Sequence, residues 1–351
     1  MRPTPAFRTT AMKRTTSRRA SLAPRAAVLV LLCLARAPEV AAEPACRRDG
    51  RYVMGTVLET TICAPSAADR AREVYAIATA LDAELTTWAA DGPLIRLNRS
   101  AGGPAREIPP DLHRVLDESV VWWRRTGGAF DVSVGPLMTL WRETGSAGRE
   151  PDSAELREAL ALVGSDKIEF GEHGAVRLAR AGMALDLGGI GKGFAVDRMA
   201  ERLRRAGVRS ALIDFGRSSL LAMGSAPEGD GWRVLLRRPD GPVVGVASLR
   251  DHAASVSATF GSSFQIEGRR LGHVVDPRSG RPLEREALVF VVSPEATQAE
   301  ALSKALLVLG VEKGLALLAT IPRVEALVVE EGGRESRTPG FDRVVAFEPL
   351  S

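Results

Sequence analysis

Apolar and polar positions along the chain follow two periodicities, and the first is that of a β-strand. Residues 51–63, RYVMGTVLETTIC, alternate and are rich in β-branched side chains, which predicts a strand. Residues 67–88 carry apolar side chains three and four positions apart, the spacing of one helical face. Residues 111–128 repeat that spacing, with Asp111 as the predicted N-cap and Gly127 as the predicted C-terminal stop.

Later segments interleave short strands with helices. Residues 183–216 predict a strand, a glycine-rich turn, a helix and a second strand, and residues 231–276 predict strands joined by hairpin turns. A helix follows LVFVVSPEAT, and residues 324–335 predict a terminal hairpin strand. Since there is no repeat of about 20–50 residues and no long linker, we predict an α+β fold: one interwoven domain of mixed or antiparallel sheet with packed helices.

Composition is that of a folded protein. The chain has 351 residues, of which 45% are hydrophobic and 26% are charged, enough to bury an ordinary core. Its formal net charge is +4, yet the first 25 residues hold seven Arg or Lys and no acid. The rest of the chain is close to neutral, so we expect no nucleic-acid partner.

The N-terminal segment has the three parts of an export signal. A basic stretch ends at Arg25, and the apolar run AAVLVLLCLA follows at residues 26–35. The small residues of VAAE, at residues 40–43, have the character of a cleavage site. We therefore expect residues 1–42 to be a leader, residues 43–351 to be the exported domain, and the location to be periplasmic. The apolar run is too short to span a bilayer comfortably, so an uncleaved signal anchor is the alternative and no other transmembrane span is expected.

Two cysteines lie beyond this leader. Cys46 and Cys63 would both face an oxidising compartment after export, where a disulfide is allowed. The sequence leaves open whether they pair.

A glycine-rich turn is the first candidate for chemistry. The segment DLGGIGKGFAVD, residues 186–197, places four glycines between a predicted strand and a predicted helix. Glycine lets the backbone approach a ligand, and the first amides of the helix point at an anion, so a phosphate or pyrophosphate would suit this turn. Lys192 is followed by Gly193 and not by Ser or Thr, and the spacing is not G-x-G-x-x-G, so two common phosphate motifs are excluded. A tight turn without a ligand is the alternative.

The second candidate is an ion pair within an apolar helix. In QAEALSKALLVLG, residues 298–310, Glu300 and Lys304 are four positions apart and share one helical face. Considered alone, the pair is a surface ion pair of little energetic consequence.

Four stretches occur in an order that resembles a known family. They are MGT at residues 54–56, GGAFDVSVGPLMTLW at 127–141, DLGGIGKGFAVD at 186–197, and HVVDPRSGRPL at 273–283. Together they resemble the FAD:protein FMN transferase family, also called ApbE-like, whose fold is α+β and related to the T-fold. The resemblance implies an enzyme that uses magnesium to split the pyrophosphate of FAD and attaches FMN through a phosphoester to a Thr or Ser of an exported target protein.

The resemblance also implies roles for individual residues. His273 would take a proton beside the scissile pyrophosphate, and Asp276 would orient its loop or the imidazole. Trp88 takes the place of a family tyrosine and would keep an aromatic wall. The implied FAD-binding positions are Met54, Trp88, Ala129, Phe130, Asp131, Asp186, Gly188, Lys192, Phe194 and Ser257.

The implied metal site departs from the family pattern. Its candidate ligands are Gly191 through its carbonyl, Glu300 and Ser303, while Lys304 replaces the threonine ligand that the family uses. A glutamate can bind Mg²⁺, but a protonated lysine has no acceptor atom and repels a cation. We therefore expect Lys304, paired with Glu300, to supply charge where the ion would, and Arg217 to add a second fixed positive charge.

Two other functions fit the same motifs. The first is a flavin-binding homologue that has lost transfer activity and acts as a carrier or partner of a redox assembly, which the altered metal site favours. The second is an FAD pyrophosphatase, in which water replaces the acceptor hydroxyl and FMN and AMP are released.

Overall fold

The structure, a computed structural model, describes residues 46–350 except 239–240, 242, 260–262 and 267–268, and at 263–265 it describes only the backbone. The predicted leader, residues 1–42, lies outside the described residues. In the described part of the chain, the strands are β1 (Cys46–Val53), β2 (Thr56–Cys63), β3 (Arg106–Glu107), β4 (Ile168–Phe170), β5 (Ala175–Leu178), β6 (Ser210–Phe215), β7 (Ser219–Met223), β8 (Trp232–Arg237), β9 (Val243–Leu249), β10 (His252–Ala258), β11 (Ser263–Ile266), β12 (Arg269–Gly272), β13 (Ala287–Ser293), β14 (Glu325–Glu330), β15 (Glu335–Arg337) and β16 (Ala346–Pro349). The helices there are α1 (Ala67–Leu85), α2 (Pro93–Arg99), α3 (Pro110–Arg125), α4 (Gly135–Ser146), α5 (Ser153–Ala161), α6 (Gly191–Arg205), α7 (Ala296–Leu309), α8 (Val311–Leu318) and α9 (Phe341–Val344).

A hairpin replaces the single strand predicted at residues 51–63. Strands β1 and β2 pair in antiparallel register, and the turn between them contains Met54 and Gly55, with φ values of 49° and 72°. The prediction of one strand was wrong because the alternation of side chains continues through this short turn. Cys46 lies opposite Cys63 in the register, and a disulfide joins them.

Eight strands form one antiparallel sheet in the order β1-β2-β6-β7-β10-β13-β14-β15. Every residue of β13 is buried: Val289 and Val291 face the core beneath α1, α6 and α7, whereas Leu288, Phe290 and Val292 face a second core beneath the small sheet β16-β9-β8. A strand covered on both faces needs a continuous apolar run, and β13 has one. The predicted α+β fold of antiparallel sheet with packed helices is confirmed.

Helix α6 holds the N-terminus of α7. The carboxylate of Asp197 accepts hydrogen bonds from the N–H groups of Ala296 and Thr297, both 2.8 Å, and from the Thr297 hydroxyl at 2.6 Å. These bonds satisfy donors that the first turn of a helix leaves unpaired. At Gly193 of α6, an added Cβ would lie 2.5 Å from the carbonyl oxygen of Ala296. The start of α6 is therefore locked beside the first turns of α7.

Three predicted boundaries were wrong. Helix α1 ends at Leu85, so Trp88 lies in the loop that follows it. The N-cap of α3 is Pro109, and Asp111 lies in the first turn, where its carboxylate pairs with Arg198 at 2.9 Å. Residues 183–187 form no strand before the glycine turn. None of the described helices combines the length and the apolar character needed to cross a bilayer.

Candidate active site

Three adjoining cavities meet at the glycine turn. Their volumes are about 640, 440 and 290 Å³, and Gly188 lines all three. Lys192 lines the two larger cavities, and His273 and Lys304 line the two smaller ones. The glycine turn, the His273 loop and α7 therefore border one cleft.

Glu300 lies beneath the junction of these cavities. Its side chain is 0% exposed, and Oε2 accepts a hydrogen bond from the N–H of Gly193 at 2.7 Å. Its Oε1 lies 3.2 Å from Nζ of Lys192 and 3.7 Å from Nζ of Lys304. Burial raises the pKa of Glu300, but the two ammonium groups and the Gly193 amide outweigh it and lower the pKa to about 2. The alternative of a surface pair is wrong, because the carboxylate is buried and ionised between two lysines.

Lys304 connects this buried carboxylate to the cleft. Its side chain is 22% exposed, as is that of Lys192. Burial lowers the pKa of Lys304 to about 8, with Glu300 opposing that shift. One carboxylate faces two ammonium groups, so the cluster carries a net positive charge at neutral pH.

The 440 Å³ cavity is strongly basic, and among the described residues no Asp or Glu lines it. The turn that carries Arg217 is fixed, since the Arg217 N–H donates to the Asp214 carboxylate at 2.8 Å and its backbone has a φ of 56°. Arg238 is paired with Glu286 at 2.8 Å. The basic lining residues are Lys192, Arg217, Arg237, Arg238 and Lys304.

The 290 Å³ cavity is mostly apolar. Ala129, Phe130 and Met138 contribute to its wall, and Trp88, which is 79% exposed, stands at its mouth. The guanidinium of Arg142 lies 4.8 Å from the centre of the Trp88 ring. An apolar wall with an aromatic ring at the entrance suits a planar ring system.

Three further predicted residues also border the cleft. Met54 and Gly191 line the 640 Å³ cavity, and the Met54 N–H donates to the Asp82 carboxylate at 3.0 Å. Asp186 lines the 640 and 290 Å³ cavities, and its Oδ1 accepts a hydrogen bond from the Gly188 N–H at 2.8 Å. Asp186 therefore shapes the glycine turn.

The His273 loop is held by Asp276. The Asp276 carboxylate accepts three hydrogen bonds from Arg278: from its N–H and Nε at 2.9 Å, and from its terminal nitrogen at 2.8 Å. Burial raises the pKa of Asp276, but these bonds outweigh it and leave the pKa below its usual value. Of the two roles predicted for Asp276, the geometry supports orientation of the loop.

The side chains of two predicted FAD-binding residues, Asp131 and Phe194, make contacts within the protein itself. Oδ1 of Asp131 accepts from the hydroxyls of Ser133 and Ser165, both at 2.6 Å, so its carboxylate caps a turn although the residue borders the cleft. Phe194 is 1% exposed, packs in the helix-side core and lines none of the three cavities. The Phe194 side chain therefore serves helix packing in this structure, and the flavin-binding role implied for this position stays a prediction.

A serine cluster lies behind the cleft. The hydroxyl of Ser303 lies 2.8 Å from that of Ser257 and 3.0 Å from that of Ser255, and it donates to the Glu300 carbonyl at 2.9 Å. Ser303 is 0% exposed, whereas Ser257 borders the 440 Å³ cavity. Ser257 can therefore contact a ligand in the cleft, but Ser303 cannot without rearrangement.

Comparison with known proteins agrees with this architecture. Residues 54–328 match the ApbE family. The chain belongs to the ApbE family. It is similar to the FAD:protein FMN transferase of Treponema pallidum (32% identity, 78% of this chain and 80% of that protein) and to that of Salmonella typhimurium (27%, 88% and 91%). Among solved structures, the apo flavinyl transferase ApbE of Pseudomonas stutzeri matches with a TM-score of 0.76 at 29% identity, over 87% of this chain and 98% of that one.

The residues of this ApbE-family chain do not fit the implied magnesium site. Within the described ranges, no group of three or more His, Cys, Asp or Glu side chains is placed to hold a metal ion. Glu300 already faces two ammonium groups, and the Ser303 hydroxyl is buried in the serine cluster. A divalent cation beside Glu300 would meet repulsion from Lys192 and Lys304.

The sequence analysis of this ApbE-family chain did not predict some of the residues at the site. Arg237 and Arg238 line the 440 Å³ cavity, and Arg142 lies against Trp88, but none of the three belongs to a matching motif. Strand β8 alternates buried and exposed positions, which indicates that one face is solvent-exposed. The packing of the small sheet β16-β9-β8 against the rest of the protein decides whether that exposed face borders the cleft. No local sequence pattern could therefore have identified Arg237.

Proposed function

We propose that this protein is an FAD:protein FMN transferase that attaches FMN to a Thr or Ser of an exported target protein. Its curated relatives carry that name at up to 32% identity over most of the chain. One observation supports the proposal most directly: His273 lies between an apolar cavity that suits a flavin ring and a basic cavity that suits phosphates.

The chemistry follows from this placement. The oxygen of the acceptor hydroxyl forms a bond to the phosphorus of the FMN half, the bond between that phosphorus and the bridging oxygen breaks, and AMP leaves. His273 accepts the hydroxyl proton, since an imidazole at the reacting groups can act as a general base. The charges of Lys192 and Lys304 stabilise the phosphoryl oxygens as charge develops on them. A magnesium ion takes no part in this scheme, because Lys192 and Lys304 already face the Glu300 carboxylate.

We also propose that the protein acts outside the cytoplasm. The leader predicted over residues 1–42 supports export, and so does the disulfide between Cys46 and Cys63, which persists only in an oxidising compartment. Fractionation of the native host, followed by detection of the mature chain, tests this location.

Transfer itself is tested with purified protein, FAD and a target peptide that carries an acceptor threonine. We expect the peptide to gain the mass of an FMN phosphoester and an equal amount of AMP to appear. His273→Gln should lower the rate by about 100-fold or more, since a positioned proton acceptor contributes about that much.

The same assay separates the two other functions. Release of FMN and AMP without any peptide adduct would identify a pyrophosphatase. FAD binding with neither product would identify a carrier, which the lysine at position 304 favours.

A further inference from the structure

The basic cavity is lined by five Lys or Arg side chains and, among the described residues, by no Asp or Glu. Lys192 and Lys304 reach it from two helices that are locked together by Asp197 and Gly193. The only carboxylate between them among the described contacts is that of Glu300, which is 0% exposed and lies 3.2 and 3.7 Å from their nitrogens. Glu300 can balance one of the two ammonium charges, so the other is available to a ligand.

A third cation, Arg217, also lines this cavity. The backbone of Arg217 is in the left-handed region and is anchored to Asp214. In the described part of the chain, no carboxylate lies within 4 Å of the Arg217 guanidinium. Guanidinium and ammonium groups bind phosphate oxygens directly and without a metal.

We infer that the pyrophosphate of FAD is bound by the fixed cations Lys192, Lys304 and Arg217, and that its binding requires no divalent cation. Lys304 occupies the position of the threonine that the family pattern uses as a magnesium ligand. Its Nζ lies 3.7 Å from the carboxylate of Glu300, the other side chain that would bind the ion. The inference rests on the proposed function, because it names how that site holds its substrate.

The test measures binding of FAD by the purified exported domain, from the change in flavin fluorescence, in excess EDTA and in millimolar magnesium. We expect the two dissociation constants to agree within threefold. Riboflavin, which lacks phosphates, is titrated in parallel to report the ring pocket alone.

Variants then locate the phosphate contacts. Lys304→Met and Arg217→Gln should each weaken FAD binding by tenfold or more and change riboflavin binding by less than twofold. Arg217 is exposed and is not among the ion-pair partners of Glu300. If Lys304→Met fails to fold, the Arg217→Gln variant still tests the inference. Lys313→Met, on the exposed face of α8, is the matched control and should bind FAD as the unchanged protein does.

Three other results would contradict the inference, and they differ in what they imply for the proposed function. Binding of FAD that tightens tenfold or more with magnesium would overturn the inference and leave the proposed function intact. Equal weakening of FAD and riboflavin by both variants would also overturn it, because a merely structural role would then explain the effect. Failure to bind FAD under either condition would overturn the proposed function together with the inference.

Discussion

At the scale of single residues, the environment of Glu300 shows what a local spacing can and cannot establish. The four-residue spacing predicts a contact with Lys304, and the 3.7 Å distance confirms it. The second partner, Lys192, begins a different helix, so no local pattern could reveal that the carboxylate is shared. Burial of the shared carboxylate makes the pair costly to break, unlike a surface ion pair.

Replacing Glu300 with glutamine should lower the free energy of unfolding by about 3 kcal/mol, because two neighbouring ammonium groups then lose their common counter-charge. Adding Lys304→Met to that variant should recover part of the loss, since one of the repelling charges is removed. Urea unfolding measures both effects. Glu312→Gln, an exposed carboxylate on α8, is the control and should change stability by less than about 0.5 kcal/mol. A loss below about 1 kcal/mol for Glu300→Gln would contradict this account.

Glu300 should also make stability depend on pH in acid. Its folded-state pKa is about 2, below the ordinary value of 4.5. Its stabilising contribution is therefore fully present above pH 4.5 and is lost as the pH falls from there toward 2. Unfolding experiments between pH 5 and about 2.5 should show a steeper loss for the unchanged protein than for Glu300→Gln. Parallel curves would show that Glu300 is not the source of this acid sensitivity.

At the scale of elements, the glycine turn divides its residues between two tasks. The sequence assigns all four glycines to close approach by a ligand. The structure leaves Gly188 at the meeting point of the three cavities but places Gly193 against the first turn of α7. Contact with another helix and contact with a ligand both demand the absence of a Cβ, so the sequence pattern could not distinguish them.

Gly193→Ala should therefore destabilise the protein by about 2 kcal/mol, because its Cβ would lie 2.5 Å from the backbone oxygen of Ala296 and would force α6 and α7 apart. Gly189→Ala is the matched control, since the atoms nearest to its added Cβ are at 3.5 and 3.7 Å. Thermal or urea unfolding of both variants measures the difference. Equal stability of the two would mean that the helices tolerate a wider separation.

At the scale of the whole molecule, the disulfide closes the open end of the hairpin at one edge of the eight-stranded sheet. The sequence leaves the pairing of Cys46 and Cys63 open, because two distant cysteines pair only if the fold brings them together. The antiparallel register of β1 and β2 places them directly opposite each other. The disulfide adds a covalent link to an edge strand that is also held by its backbone pairing with β2 and by the ion pair between Arg48 and Glu59 at 2.8 Å.

Replacing Cys46 and Cys63 together with serine should cost up to about 3 kcal/mol of stability, the value expected for a loop of 17 residues. Urea unfolding under non-reducing conditions measures this loss. Thiol titration in denaturant supplies the control: the full chain should show one free thiol, from Cys33, and a chain that begins at residue 43 should show none. Three titratable thiols in the full chain would show that the bond does not form.

The sequence by itself determined the α+β class, the main helices, the strand within residues 324–335 and membership of the ApbE family, because periodicity and motif order are properties of neighbouring residues. The order of its motifs also led to His273 and to the residues around the glycine turn. Only the tertiary structure decided that Glu300 is buried between two lysines, that Phe194 lies in the core, and that Arg237 and Arg238 border the cleft. These features depend on which distant segments the fold brings into contact. The burial of a side chain and the charges around it are set by those contacts and not by the segment that carries the residue.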